Sequence, residues 1–378
     1  MTEKRGYRIA GLMSGSSLDG LDLAICHFEV GRDGSGQFRL FDWSIESGIT
    51  LPYDESWQQA LAGAIHLSGK ELIHLHTALG AYWAELLEPH LDGLPLDAIA
   101  SHGHTVFHEP EAGYTLQIGD GAYLATKLGY PLIEGFRYAD IAAGGQGAPI
   151  APIADKWLFP EYDLMLNIGG IANITCNTGD QWIAFDICGA NQILNALAGL
   201  EGKEYDADGK MASEGILLPD LYTQQASLPF FGQAFPKSLS NEWVARQQTQ
   251  VFLEFKARTS DRLYTACQLS ADLIVAAISE LTDTYALRGS KPLRLLLTGG
   301  GAFNGFLVEK IRTSAMAKGM DVALEVPDST IVAFKEAAMI ALMGVFRLEN
   351  QPNCISSVTG AERDSIAGVI HQGWKNFS

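Results

Sequence analysis

With 378 residues, 47% of them hydrophobic and 19% charged, the chain has enough apolar material for two packed domains, which excludes disorder as its default state. Asp plus Glu number 44 against 26 for Lys plus Arg, a formal charge of −18 that repels nucleic-acid backbones and anionic lipid, so neither is expected as a partner. Five cysteines, Cys26, Cys176, Cys188, Cys267 and Cys354, form no CxxC pair and leave an odd thiol, which fits a reducing cytosol and suggests no zinc site.

In chain order, Met1-Thr2-Glu3-Lys4-Arg5 leads into no apolar core with a small-residue cleavage site, so a protein that is not exported is expected. Arg8 to Met13, the turn Ser14-Gly15-Ser16-Ser17-Leu18-Asp19-Gly20 and Leu21 to Ile25 read as a hairpin. From Trp57 to His90, Leu72, Leu75, Leu79, Tyr82 or Trp83 and Leu86 recur at helical spacing; His66, His74 and His76 on this stretch lack an acidic cluster and read as core or surface residues. A short strand Ala98-Ile99-Ala100 is expected to end in the polar turn Ser101 to Thr105, and Tyr114 to Ile118 in Gly119-Asp120-Gly121. The flexible run Phe136 to Pro152 reads as a domain junction and candidate hinge.

A second hairpin is expected from Leu164 to Ile168 and Ile171 to Thr175 about Gly169-Gly170. Asp186 should lie at a strand end just before a helix, where it serves either as a general base or as a helix N-cap. Asp206-Ala207-Asp208-Gly209 begins like a calcium loop, but Leu217 stands where the twelfth-position glutamate belongs, so it reads as a turn. A helix from Asp261 to Ala286, a strand from Leu293 to Thr298 running into Gly299-Gly300-Gly301 and a last long helix from Lys335 to Leu348 follow; the apolar stretch Ile331 to Phe346 carries Lys335 and Glu336, against a membrane span.

Three clusters invite ligands. The Ser14–Gly20 turn offers backbone N–H groups and hydroxyls to an anion, with Asp19 or Asp22 to orient Mg²⁺, or it is a plain hairpin turn. No Walker lysine follows it, and no glycine cluster has the dinucleotide spacing. Arg137 either grips an anionic substrate group or pairs with Asp140 on the surface, and Glu336 is either a partly solvated edge or a placed acid.

Taken together, the runs Gly11 to Gly20, Ser101 to Val106, Thr115 to Asp120, Phe136-Arg137 with Asp140 to Pro149, Asn167 to Asn173 and Gly299 to Asn304 resemble the anhydro-N-acetylmuramic acid kinases, within the superfamily of actin, Hsp70 and sugar kinases. The resemblance implies two actin-like (ribonuclease H-like) α/β domains flanking an active-site cleft: residues 1–135, joined by a tail from about 350 to 378, and residues 136–349. It implies ATP and Mg²⁺ as cofactors, a cytoplasmic enzyme with a homodimer as its candidate assembly, and opening of the 1,6-anhydro ring of 1,6-anhydro-N-acetylmuramic acid with phosphorylation of O6, in peptidoglycan recycling. Asp186 would be the catalytic base, with Glu336 helping to hold the water. Gly15, Ser16, Ser17, Leu18, Asp19, Gly20, Leu21, Asp22, Asn167, Gly169, Gly170, Asn173, Gly299, Gly300, Gly301 and Asn304 would bind the nucleotide, Asp19 and Asp22 meeting the metal. His102, Gly103, His104, Thr105 and Arg137 would line the sugar. Two runs depart from the family. Ile187-Cys188-Gly189-Ala190-Asn191 replaces the usual Thr-Gly-Pro-Gly-Asn, and Leu239-Ser240-Asn241-Glu242 follows Pro236-Lys237-Ser238 in place of Thr-Gly-Arg-Glu. A sugar kinase acting on a free hydroxyl and an ATP-gated binding module remain alternatives.

Overall fold

The computed structural model describes residues 4–15, 17–179, 182–235, 237–287 and 292–375. Contacts divide the chain into two α/β units: unit 1 is Met1–Leu158 with Ala333–Ser378, and unit 2 is Phe159–Val332.

Unit 1 opens with the antiparallel strands β1 (Lys4–Ser14), β2 (Gly20–Arg32) and β3 (Phe38–Pro52). The helices Glu55–Ala62 and Gly69–Leu91 then carry the chain back to β4 (Ala98–Glu109), parallel to β1; such a return needs a crossover, here with Leu79, Trp83 and Leu87 buried in the core of this unit. β5 (Tyr114–Ile118) folds back on β4, and β6 (Leu132–Glu134) runs parallel to it.

Unit 2 repeats the plan. β7 (Leu164–Ile168), β8 (Ile171–Asn177) and β9 (Trp182–Gly189) are antiparallel, and after the helix Thr259–Tyr285 the strands β10 (Leu293–Thr298) and β11 (Val322–Glu325) add in parallel, giving the order β11-β10-β7-β8-β9. The C-terminal β12 (Val369–His371) closes the sheet of unit 1, whose order is β12-β6-β4-β1-β2-β3. Both sheets therefore share the ribonuclease H-like 3-2-1-4-5 arrangement, and the fold expected from the sequence is the one observed.

The last long helix, Ser329–Leu348, packs Ala337, Ala338, Ala341 and Leu342 inward in unit 1. Gly11 on β1 permits that approach, because a Cβ there would lie 2.0 Å from the carbonyl oxygen of Ala337.

Two expectations need correction. The strand expected to stop at Ala100 continues to Glu109, so His102, Gly103 and His104 lie within β4; pairing with β1 and β5 sustains it while the register to β1 shifts between Leu12 and Ser14. The chain passes between units after Leu158 and again after Val332, rather than at 135/136 and 349/350. The run from Phe136 to Pro152 is thus internal to unit 1. Its glycines do not make it loose, since buried Asp140 accepts hydrogen bonds from Gly147 N (2.7 Å) and the Thr359 hydroxyl (2.7 Å), and Gln146 N donates to Thr359 O. All five cysteines are buried and free. Among the described residues no helix is long and apolar enough to cross a membrane.

Candidate active site

In unit 1 the turn between β1 and β2 brings two carboxylates together. The Ser17 hydroxyl donates to Asp19 (2.6 Å), and Thr50, opposite Asp22 in the β2–β3 ladder, donates to it (2.5 Å). Burial pushes the Asp22 carboxyl above its usual range, against the Thr50 hydrogen bond and with help from the charge of Asp19. Leu18 takes a positive φ of 60° in this turn, Gly20 and Leu21 already belong to β2 with the Leu21 side chain in the core, and Ser16 lies outside the described residues.

Of the residues expected on the sugar side, His102 and Arg137 are directly joined. Arg137 Nε donates to His102 Nε2 (3.0 Å) and Nη1 to Gly147 O (2.6 Å), while Nη2 has no partner among the described residues. Asp140 spends its oxygens elsewhere, so the alternative of a surface Arg137–Asp140 pair does not hold. Burial pulls the guanidinium down to about 10; burial, and then the neighbouring Arg137, pull His102 down to about 3, so this ring is neutral. Gly103 and His104 are buried on β4, and the exposed Thr105 accepts from Gln117 Nε2 (3.3 Å). Glu336 reaches solvent, yet its crowded surroundings strip hydration and push its carboxyl up; Lys335 and Arg137 oppose the shift and Asp22 adds to it. Glu336 thus feels the charges of both Asp22 and Arg137.

In unit 2 three of the candidates, Asn167, Asn173 and Asp186, lie in a row with Thr298. Thr298 pairs with Asn167, Asn167 with Asn173, and Asn173 with Asp186, so β10, β7, β8 and β9 place these four residues side by side on one face. Asp186 is interior to β9, not at its end. A bulge at Ile187 follows it, and Ala190 rather than Asp186 occupies the N-cap position of the helix Asn191–Gly199, which removes the capping alternative.

A strap that sequence reasoning did not foresee brackets this aspartate. Asp186 N donates to Lys237 O (2.9 Å), and Leu239 N donates to Asp186 Oδ2 (2.8 Å). The Lys237 ammonium anchors the strap on the carbonyls of Phe230, Phe231 and Gln233 at 3.4, 3.2 and 3.1 Å. Burial raises the Asp186 carboxyl and the Leu239 bond opposes it. Pro236, at the head of the strap, lies outside the described residues. Both runs that depart from the family pattern are braced: Gln248, from a π-helical turn Ala245–Thr249, accepts from Gly189 N (2.9 Å), and Ser240 caps the helix Asn241–Val244.

The glycine turns meet beside Asn167. Gly169 O and Gly170 O accept from Asn191 N and Ala190 N, and Asn191 Nδ2 donates to Ile168 O. Gly299, at φ 77°, leads into the tight turn Gly300–Phe303; a Cβ on it would lie 2.6 Å from Asn167 Oδ1, so backbone alone fits there. Asn304 Oδ1 caps the helix Gly305–Ala317 by accepting from Leu307 N (3.0 Å), which commits that oxygen to structure. Among the described residues no group of three or more His, Cys, Asp or Glu side chains is arranged to hold a metal, Asp206 and Asp208 of the calcium-like turn included; Asp206 accepts from Met211 N and Ala212 N.

A duplicated ribonuclease H-like fold with glycine turns beside a half-buried strand carboxylate is compatible with phosphoryl transfer, but the fold alone does not assign an activity. The family model described as "Anhydro-N-acetylmuramic acid kinase" matches residues 7–373. The anhydro-N-acetylmuramic acid kinase of Hydrogenovibrio crunogenus is 31% identical over 95% of this chain and 96% of its own length, and that of Hahella chejuensis is 33% identical over 96% and 98%. A hexokinase from Schistosoma mansoni complexed with glucose superposes at a TM-score of 0.36 with 11% identity over 89% of this chain and 85% of its own, too loosely to carry an argument. The chain belongs to the anhydro-N-acetylmuramic acid kinase family. It is a phosphotransferase with an alcohol acceptor, and its substrates are a sugar and ATP.

Proposed function

We propose that this enzyme opens the 1,6-anhydro ring of 1,6-anhydro-N-acetylmuramic acid with water and moves the γ-phosphoryl group of ATP to O6, giving N-acetylmuramic acid 6-phosphate and ADP in cytoplasmic recycling of cell-wall sugar. The observation that carries it is Asp186: Oδ2 is held by Leu239 N, Oδ1 has no partner among the described residues, and burial raises its affinity for a proton. Asp186 takes a proton from water as the water oxygen bonds to the anomeric carbon. The bond from that carbon to O6 breaks, its electron pair stays on O6, and O6 attacks the γ-phosphorus while ADP leaves. The proton on Asp186 then passes to solvent.

Glu336 orients the water, and the free Nη2 edge of Arg137 grips the anionic group of the sugar. Asn167, Asn173, Gly169, Gly170 and Gly299 to Gly301 face the nucleotide in unit 2, with Gly15 and its neighbours on the phosphates. Asp19 and Asp22, whose mutual repulsion a divalent cation relieves, fit Mg²⁺ bound through one or two carboxylates, water and phosphate oxygens. When bound, the ion neutralises charge on the phosphates. Phosphate transfer to the anhydro-sugar, glucose and N-acetylglucosamine tests the assignment. Turnover on the anhydro-sugar alone, reduced about 10²- to 10⁴-fold by Asp186→Asn, is expected; equal turnover on the open hexoses, or an active Asn variant, contradicts it.

A further inference from the structure

We propose that His104 is a hydrogen-bond donor of fixed direction for the acceptor sugar, and that a buried, proton-ordered chain of Trp83, Tyr53 and Ser14 sets that direction; the sugar's part in this rests on the kinase reading above. Trp83, buried on the helix Gly69–Leu91, has an indole N–H that can only donate, and it donates to the Tyr53 oxygen (3.0 Å). Tyr53 therefore spends its single proton on Ser14 Oγ (2.9 Å). Ser14, buried at the end of β1 and paired with His104 across the sheet, has one proton of its own, and His104 Nδ1 at 3.1 Å is the remaining partner for it. An Nδ1 that accepts leaves the ring proton on Nε2. That nitrogen has no partner among the described residues, and burial disfavours a charged ring.

Two residues away the opposite order holds. His102 Nε2 receives the N–H of Arg137 Nε, so its proton sits on Nδ1, 2.9 Å from Gly103 O, and no N–H remains for a ligand. His102 is a positioning residue for Arg137. Of these two histidines it is His104 that presents an N–H, suited to a hydroxyl, ring or carbonyl oxygen of the sugar and unable to take a proton at the same nitrogen.

Long-range ¹H–¹⁵N spectra of the full-length enzyme labelled with ¹⁵N-histidine read the tautomer, the His104 signals being those lost in His104→Gln. A pyridine-type Nδ1 and pyrrole-type Nε2 are expected at pH 7, with the Nε2–H signal moving when the anhydro-sugar is added. His104→Leu should raise KM for the sugar about tenfold with a smaller change in kcat, His104→Gln should restore most of it by keeping a donor, and Tyr53→Phe should mix the tautomers. An Nδ1–H tautomer or an imidazolium in the wild type overturns the proposal, whatever the variants do, as does an unchanged KM in His104→Leu. The wild-type spectrum needs no turnover, so failure of the kinase reading would show separately, as absent phosphate transfer.

Discussion

Asp186 combines a structural cost with a chemical use. Burial raises its carboxyl above the unfolded value, so between those two values the native state holds a proton that the unfolded chain does not, and stability falls as pH rises through that window. Asp186→Asn removes the ionisation and keeps an oxygen for Leu239 N. The variant should therefore melt above the wild type at pH 8, with the gap closing as pH falls below the ordinary carboxylate range; a variant that melts lower at pH 8 contradicts this account. In the wild type, kcat/KM should fall on the acid side at a pH above that range, where the base becomes protonated. Residue type and neighbours left Asp186, Arg137 and Glu336 open between a site role and a structural one, and only the family resemblance favoured the site role. Leu239 was not legible, because its contribution is a backbone N–H that every residue except proline carries. Nor could sequence separate His102 from His104, since Tyr53 and Trp83, which set the difference, lie far away along the chain.

Two elements hold the site residues through contacts that spacing does not show. The helix Ser329–Leu348, which carries Glu336, lies so close to β1 that Gly11→Ala would push a methyl into the Ala337 carbonyl. A loss of about 1–3 kcal/mol is expected by urea unfolding, with kcat reduced as well; an unchanged midpoint would show that the helix yields freely. The strap Lys237–Leu239 depends on three carbonyls gathered around one ammonium. Lys237→Met should lower kcat about 10- to 100-fold while KM for ATP stays within a few-fold, as expected when a base is displaced rather than a binding surface lost; a KM effect alone would place the strap elsewhere in the cycle. The hairpins and the strand Leu293–Thr298 were legible because alternating apolar runs meet glycine turns. β4 was read short because Gly103, with φ of 77°, gives a mid-strand bend the composition of a turn.

At the scale of the whole molecule, the same 3-2-1-4-5 sheet occurs twice, once in a discontinuous unit and once in the uninterrupted stretch Phe159–Val332. Among the described residues, the core of unit 2, from Leu164 to Ala315, lies within that stretch. A fragment of residues 159–332 should fold alone with one cooperative urea transition; a broad, non-cooperative loss of far-UV signal would contradict this. The duplication could be seen in the sequence as two similar hairpins, but the crossing points could not, because the glycine-rich run that looks like a linker is tied down by Asp140 and Thr359. The account turns on water reaching the anomeric carbon through Asp186, and turnover of the anhydro-sugar with ATP in ¹⁸O-water tests it most directly. Mass spectrometry of the early product should find the label on the anomeric hydroxyl above the level that preformed product acquires in the same water, with none in the phosphate ester; product without that label would contradict the mechanism.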